Sequence, residues 1–168
     1  MSIPVPYNYH ALSGVAGDTL LLTREATVFI DTLVGQSAVE VWNGTQWMLA
    51  SVIQVLVNQP LFLVTLSDGR SLTCGASYPW YIRTPSFLSF DEVKTAFLTI
   101  GSAIWWTTLD TDLEGAPPAS FPTIVSVAPL GTYGDLYCVS GNDVELTVFN
   151  RILSSPGYNQ PPVPAPVV

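Results

Sequence analysis

Two dipeptides, Asn43-Gly44 and Asp68-Gly69, sit between runs rich in β-branched and aromatic residues, and they constrain this chain more than any other feature. A two-residue hairpin turn needs left-handed backbone, which glycine adopts without steric cost and Asn or Asp tolerates. The segments AVEVWNGTQWMLASV and LFLVTLSDGRSLTC therefore predict two hairpins, and the alternation of short apolar runs and turn signals over residues 19 to 82 predicts an antiparallel meander. One short helix is expected. Ser89 and Glu92 have the spacing of a capping box, Val93, Ala96, Phe97 and Ile100 share one helical face before Gly101, and Asp91-Glu92 would complement the positive end of the helix.

Beyond that point Ala103-Ile104-Trp105-Trp106 reads as a strand, residues 107 to 122 as a loop closed by the breaker run GAPPASFP, and TIVSVAPL as a strand again. DLYCVSGNDVELTVFNRIL gives a last pair of strands, and SSPGYNQPPVPAPVV an extended, proline-rich tail. FIDTLVGQSAVEVW (29 to 42) and TAFLTIGSAIWW (95 to 106) share a hydrophobic-Gly-x-x-hydrophobic-Trp framework, which suggests a duplicated β-unit.

The chain of 168 residues is one domain by size, and its 48% hydrophobic content supports a real core. A formal charge of −8 repels phosphate backbones and anionic headgroups, so nucleic acid and membrane surfaces are not expected as partners. No apolar run reaches the roughly 20 residues that span a bilayer, and MSIPVPYNYH lacks the features of a secretory signal. An intracellular or virion location is expected. Cys74 and Cys138 stand far apart in apolar surroundings, the pattern of buried free thiols, with a disulfide open only if the fold joins their strands.

The run GDTLLLTREATVFIDTLVGQSAVEVWNGTQW resembles the first block of Hint (hedgehog/intein) domains, QPLFLVTLSDGRSLTCGASYPWYI the second, and VSVAPLGTYGDLYCVSGNDVELTVFNRIL the C-terminal pair. Together they cover about residues 14 to 156. The resemblance implies a mini-intein without an endonuclease: an all-β, mostly antiparallel, pseudo-twofold horseshoe. Residues 1 to 13 would then be an extended arm, 14 to 156 the domain, and 157 to 168 the proline-rich tail.

The family's chemistry is harder to place. Its nucleophile stands three residues before the glycine of Gly17-Asp18-Thr19, where this chain has Gly14. Ser13 is one position out of register, which in a strand points to the opposite face. The Thr and His of the second block correspond to Gly75 and Tyr78, and the terminal His-Asn pair to Ser155 and Pro156. Glycine supplies no nucleophile, and proline cannot cyclise as asparagine does. With about a dozen residues on either flank, splicing would join two scraps, so the domain itself is the expected product.

Other signals have plain explanations. His10 is the only histidine and stands near no carboxylate or thiol cluster, and Asp110-Thr-Asp112-Leu-Glu114-Gly115 opens like a calcium loop but reaches Phe121 where a bidentate Glu belongs. Asn43-Gly44-Thr45 is a glycosylation sequon better explained as a turn. Trp105 and Trp106 cannot share one strand face, so one ring is expected in a contact surface, joined by Tyr158, Pro161, Pro162 and Pro164 of the tail. These readings predict a non-enzymatic assembly component, such as a capsid cement or decoration subunit, that contacts protein subunits and uses no metal, cofactor or small-molecule substrate. The alternative is residual autoprocessing, cleavage without splicing.

Overall fold

The computed structural model describes residues 11–36, 38–84, 89–104 and 121–159. These residues form eleven strands: β1 Val15–Ala16, β2 Leu20–Leu22, β3 Thr27–Phe29, β4 Val39–Trp42, β5 Trp47–Leu66, β6 Ser71–Cys74, β7 Pro79–Arg83, β8 Phe90–Lys94, β9 Ile124–Ser140, β10 Thr147–Phe149 and β11 Ile152–Ser154. All their pairings are antiparallel, and the described helical residues are two 3₁₀ turns, Ile30–Leu33 and Thr95–Phe97. The all-β expectation holds.

The largest sheet runs β4-β5-β6-β1-β9, and the long β5 and β9 also pair with each other. The two-residue β1 therefore sits inside a ring of pairings, with Val15 opposite Cys74 on one side and Tyr137 on the other. A second sheet, β11-β10-β2-β3, and the β7-β8 hairpin complete the fold. Val15, Leu21, Val41, Val64, Leu72, Ile124, Phe149 and Ile152 are fully buried in one shared core, where close packing fixes how the sheets meet.

Both expected hairpins form, with longer loops than two residues. Trp42 pairs with Trp47, so the first loop holds four residues; Asn43 Oδ1 accepts the backbone N–H groups of Thr45 and Gln46 at 3.0 and 2.9 Å. Leu66 N–H donates to the Arg70 carbonyl at 2.8 Å, which leaves a three-residue loop with Gly69 at φ +91°. In each case the Asn or Asp of the dipeptide caps the turn, Asp68 Oδ1 accepting the Arg70 N–H at 3.1 Å, as Asx geometry allows.

The expected helix over residues 89 to 101 is corrected. Phe90–Lys94 is a strand paired residue for residue with Pro79–Arg83, so Asp91 and Glu92 lie on a hairpin rather than at a helix start. Tertiary contacts outweigh the local signal: the Tyr81 and Phe90 rings meet edge to face at 5.1 Å, and the indole N–H of Trp80 donates to Thr95 Oγ1 at 3.0 Å. A capping box contributes only about 1 kcal/mol. Phe97 and Ile100, expected to face the core, are 74% and 59% exposed. The internal echo has a structural counterpart, since each copy carries a 3₁₀ turn followed by a glycine of positive φ, Gly35 at +88° and Gly101 at +93°.

Candidate functional site

The ring of pairings around β1 brings distant segments to one point. Ser13 lies just before β1 and forms a two-bond antiparallel bridge with Tyr158: Ser13 N–H donates to the Tyr158 carbonyl at 3.0 Å, and Tyr158 N–H donates to the Ser13 carbonyl at 3.1 Å. Gly14 follows, its carbonyl accepting the Gly75 N–H at 3.1 Å. Val139 N–H donates to the Pro156 carbonyl at 2.9 Å, and Ser155 Oγ accepts the Gly157 N–H at 3.1 Å. The phenol of Tyr78 bonds Ser154 Oγ at 2.9 Å and also reaches the Ser155 carbonyl. It has one proton to share between them, so the Ser154 hydroxyl supplies the other bond. All five positions expected to correspond to splicing residues, Gly14, Gly75, Tyr78, Ser155 and Pro156, thus fall in one cluster, and Tyr158 joins them.

Main chain excludes a side chain at Gly14, whereas at Gly75 a side-chain methyl would have to move. A Cβ on Gly14 would lie 2.4 Å from the Tyr137 carbonyl oxygen, and one on Gly75 would lie 2.5 Å from Leu136 Cδ1. Gly157, at φ +83°, packs against Ser13 and Cys138: a Cβ there would stand 2.7 Å from the Ser13 carbonyl oxygen and 2.8 Å from Cys138 Cβ. Cys138 Cβ and the Ser13 carbonyl therefore both lie beside Gly157, a juxtaposition no residue spacing announced. The sequence marked Cys138 only as an apolar-strand thiol; the pairing of β9 with β1 brings it next to Gly157.

Cys74 and Cys138 are both free and buried. Because β1 lies between their strands, they stand about two strand spacings apart, roughly 10 Å, beyond the reach of a disulfide. Burial pushes each thiol up to about 12. Burial likewise raises Tyr78 well above the usual phenol range, which keeps it a hydrogen-bond donor. Tyr81 and Tyr158 are raised too, again chiefly by burial, and Tyr158 Oη donates to Glu92 Oε1 at 3.4 Å. Among the described residues no group of three or more His, Cys, Asp or Glu side chains is arranged to hold a metal ion. Trp105, Trp106, Pro161, Pro162, Pro164, His10, Asp110, Asp112 and Glu114 lie outside the described residues; Phe121 packs under the Arg83 guanidinium, 3.8 Å from its ring centre.

This arrangement recurs in solved structures. A DnaB intein from Synechocystis sp. PCC 6803 matches with a TM-score of 0.69 at 15% identity, over 87% of this chain and 99% of the intein. This chain has an intein-like fold of mini-intein size. The gp41-1 intein matches at 18% identity and a TM-score of 0.60, over 85% of this chain and 98% of the other. The PabCDC21-1 intein matches at 13% identity and a TM-score of 0.68, over 86% and 98%. No protein-family model and no curated protein sequence matches the chain. At such identities the likeness is one of fold, and it corrects one expectation. The chain was expected to be no enzyme, yet the structures that share its architecture are inteins, domains that process their own backbone.

Proposed function

We propose that this intein-like domain processes its own backbone, by acyl transfer at the Ser13–Gly14 bond. The observation that supports this reading most is the shared neighbourhood of the Ser13 carbonyl and Cys138 around Gly157. The Cys138 thiolate attacks the Ser13 carbonyl carbon. Tyr158 N–H, 3.1 Å from that carbonyl oxygen, stabilises the oxyanion as it develops. The C–N bond to Gly14 then breaks, the proton lost by the thiol ends on the Gly14 nitrogen, and Ser13 is left as a thioester on Cys138. Water hydrolyses the thioester, freeing the segment that ends at Ser13. With the thiol held up to about 12, little thiolate exists at neutral pH and the cleavage is slow.

Intact mass over a time course, with and without hydroxylamine, tests the reading. The expected products are a fragment ending at Ser13, or its hydroxamate, and a fragment beginning at Gly14, and Cys138→Ala abolishes both. Persistence of the uncut chain under hydroxylamine, or cleavage undiminished in Cys138→Ala, overturns it.

A second reading, an assembly component such as a minor virion subunit, draws on a different observation. Val57, Leu130 and Tyr133, 59%, 42% and 64% exposed, are carried by the irregular middle of β5 and β9, where the register shifts. Exposed apolar groups on a sheet suit contact with other protein subunits. Co-purification of the chain with a native particle supports this role, and a freely diffusing monomer in infected or producing cells argues against it.

A further inference from the structure

A small cavity lies beside the proposed scissile bond. It has a volume of about 60 Å³ and is lined by Leu12, Ser13, Leu56, Gln59, Gly75 and Ala76, among others. In the same measure one water needs roughly 10–15 Å³, so the space admits a few waters or one small organic molecule and nothing of peptide size. Its walls come from the approach to β1, from β5 and from the turn after β6, so only the closed ring of pairings creates it. The absence of a side chain at Gly75 keeps it adjacent to Gly14, whose carbonyl is held by the Gly75 N–H at 3.1 Å.

A second observation marks it as a polar site. Ser13 is 1% exposed and its hydroxyl has no hydrogen-bond partner among the described residues. A buried hydroxyl without a partner is costly and is ordinarily satisfied by water or a ligand. The main-chain groups of Ser13 are already occupied by Tyr158, so its hydroxyl is the one polar group of this lining residue left without a bond among the described residues.

We infer that this cavity is the entry site for the small nucleophile, water or a compact thiol, that releases the acyl group from Cys138. The inference rests on the autoprocessing reading and adds a size limit to it. In the release step the nucleophile's sulfur or oxygen bonds to the Ser13 carbonyl carbon, the bond to Cys138 Sγ breaks, and the proton carried in by the nucleophile ends on Cys138 Sγ. Ligands larger than a few heavy atoms are excluded by the walls.

The test compares release of the Ser13-terminated fragment by 2-mercaptoethanol and by glutathione at equal thiolate concentration. The wild-type chain is expected to favour the smaller thiol at least tenfold. Ala76→Leu and Gln59→Trp, which fill the cavity from two different walls, are expected to reduce release by either thiol while the acyl form accumulates as a chain retaining full mass and reactive Cys138 blocked to alkylation. Equal rates for the two thiols, or unchanged rates in both filled variants, overturn the cavity's role while leaving autoprocessing standing. A wild-type chain that forms no acyl product under any nucleophile overturns both.

Discussion

Gly14 and Tyr137 are packed so closely that a Cβ on the glycine would lie 2.4 Å from the tyrosine carbonyl oxygen and 2.9 Å from its nitrogen. The obstacle is main chain in a paired strand, which cannot rotate aside as a side chain would. Placing a nucleophile at position 14 therefore does not restore the chemistry this fold is known for. Gly14→Cys and Gly14→Ser are expected to destabilise the domain by about 1–3 kcal/mol, read as a lower urea midpoint, without speeding cleavage. Faster cleavage in either variant would show that β9 yields.

The proposed reaction has a defined pH dependence. Below about 12, where burial places the Cys138 thiol, the thiolate fraction grows tenfold per pH unit. Release of the Ser13-terminated fragment is expected to accelerate about 100-fold from pH 7 to pH 9. A flat profile over that range would assign the attack to some group other than Cys138.

Stability should fall in alkali for the same reason. Cys74 and Cys138 are raised from 9.0 to about 12, so between those values the unfolded chain releases protons that the folded chain retains. Folded protein binds more protons, and stability therefore declines as pH rises, by about 1.4 kcal/mol per unit for each thiol. Denaturant titrations at pH 8 and pH 10 are expected to show the loss, and Cys74→Ala to remove part of it.

Tyr78 anchors the C-terminal strand. Tyr78→Phe leaves the Ser155 carbonyl and the Ser154 hydroxyl without the phenol, both in a fully buried setting. A cost of about 1–3 kcal/mol is expected, measured by thermal or urea unfolding; a neutral effect would mean that water replaces the phenol.

The β10–β11 turn combines a clamp with a strained residue. Asn150 Oδ1 accepts Leu20 N–H at 2.8 Å and its amide donates to the Ser71 carbonyl at 3.0 Å, whereas Arg151 holds φ at +65°. Asn150→Ala is expected to destabilise by about 2 kcal/mol and Arg151→Gly to stabilise by about 1 kcal/mol. Opposite shifts in the urea midpoint would bear this out.

Much of this protein was legible locally. Turn chemistry at Asn43-Gly44 and Asp68-Gly69 located two hairpins because left-handed backbone has few chemical solutions, and the resemblance to Hint domains pointed to the positions from Gly14 to Pro156 that gather at the junction. Periodicity failed at residues 89 to 101, where a helix-like pattern became a strand because Pro79–Arg83 offered a pairing edge and Trp80 a partner for Thr95. Such a choice depends on a surface the segment does not itself contain.

Residue identity thus settled the strand content and the turns, since both follow from short-range sterics. Only the tertiary structure decided that Cys138 and the Ser13 carbonyl both lie beside Gly157, that Ser13 pairs with Tyr158, and that the two thiols stay apart. The physical reason is the closure of β5, β6, β9 and β1 into a ring: contacts between residues more than a hundred positions apart are fixed by strand register and packing, which no local pattern encodes.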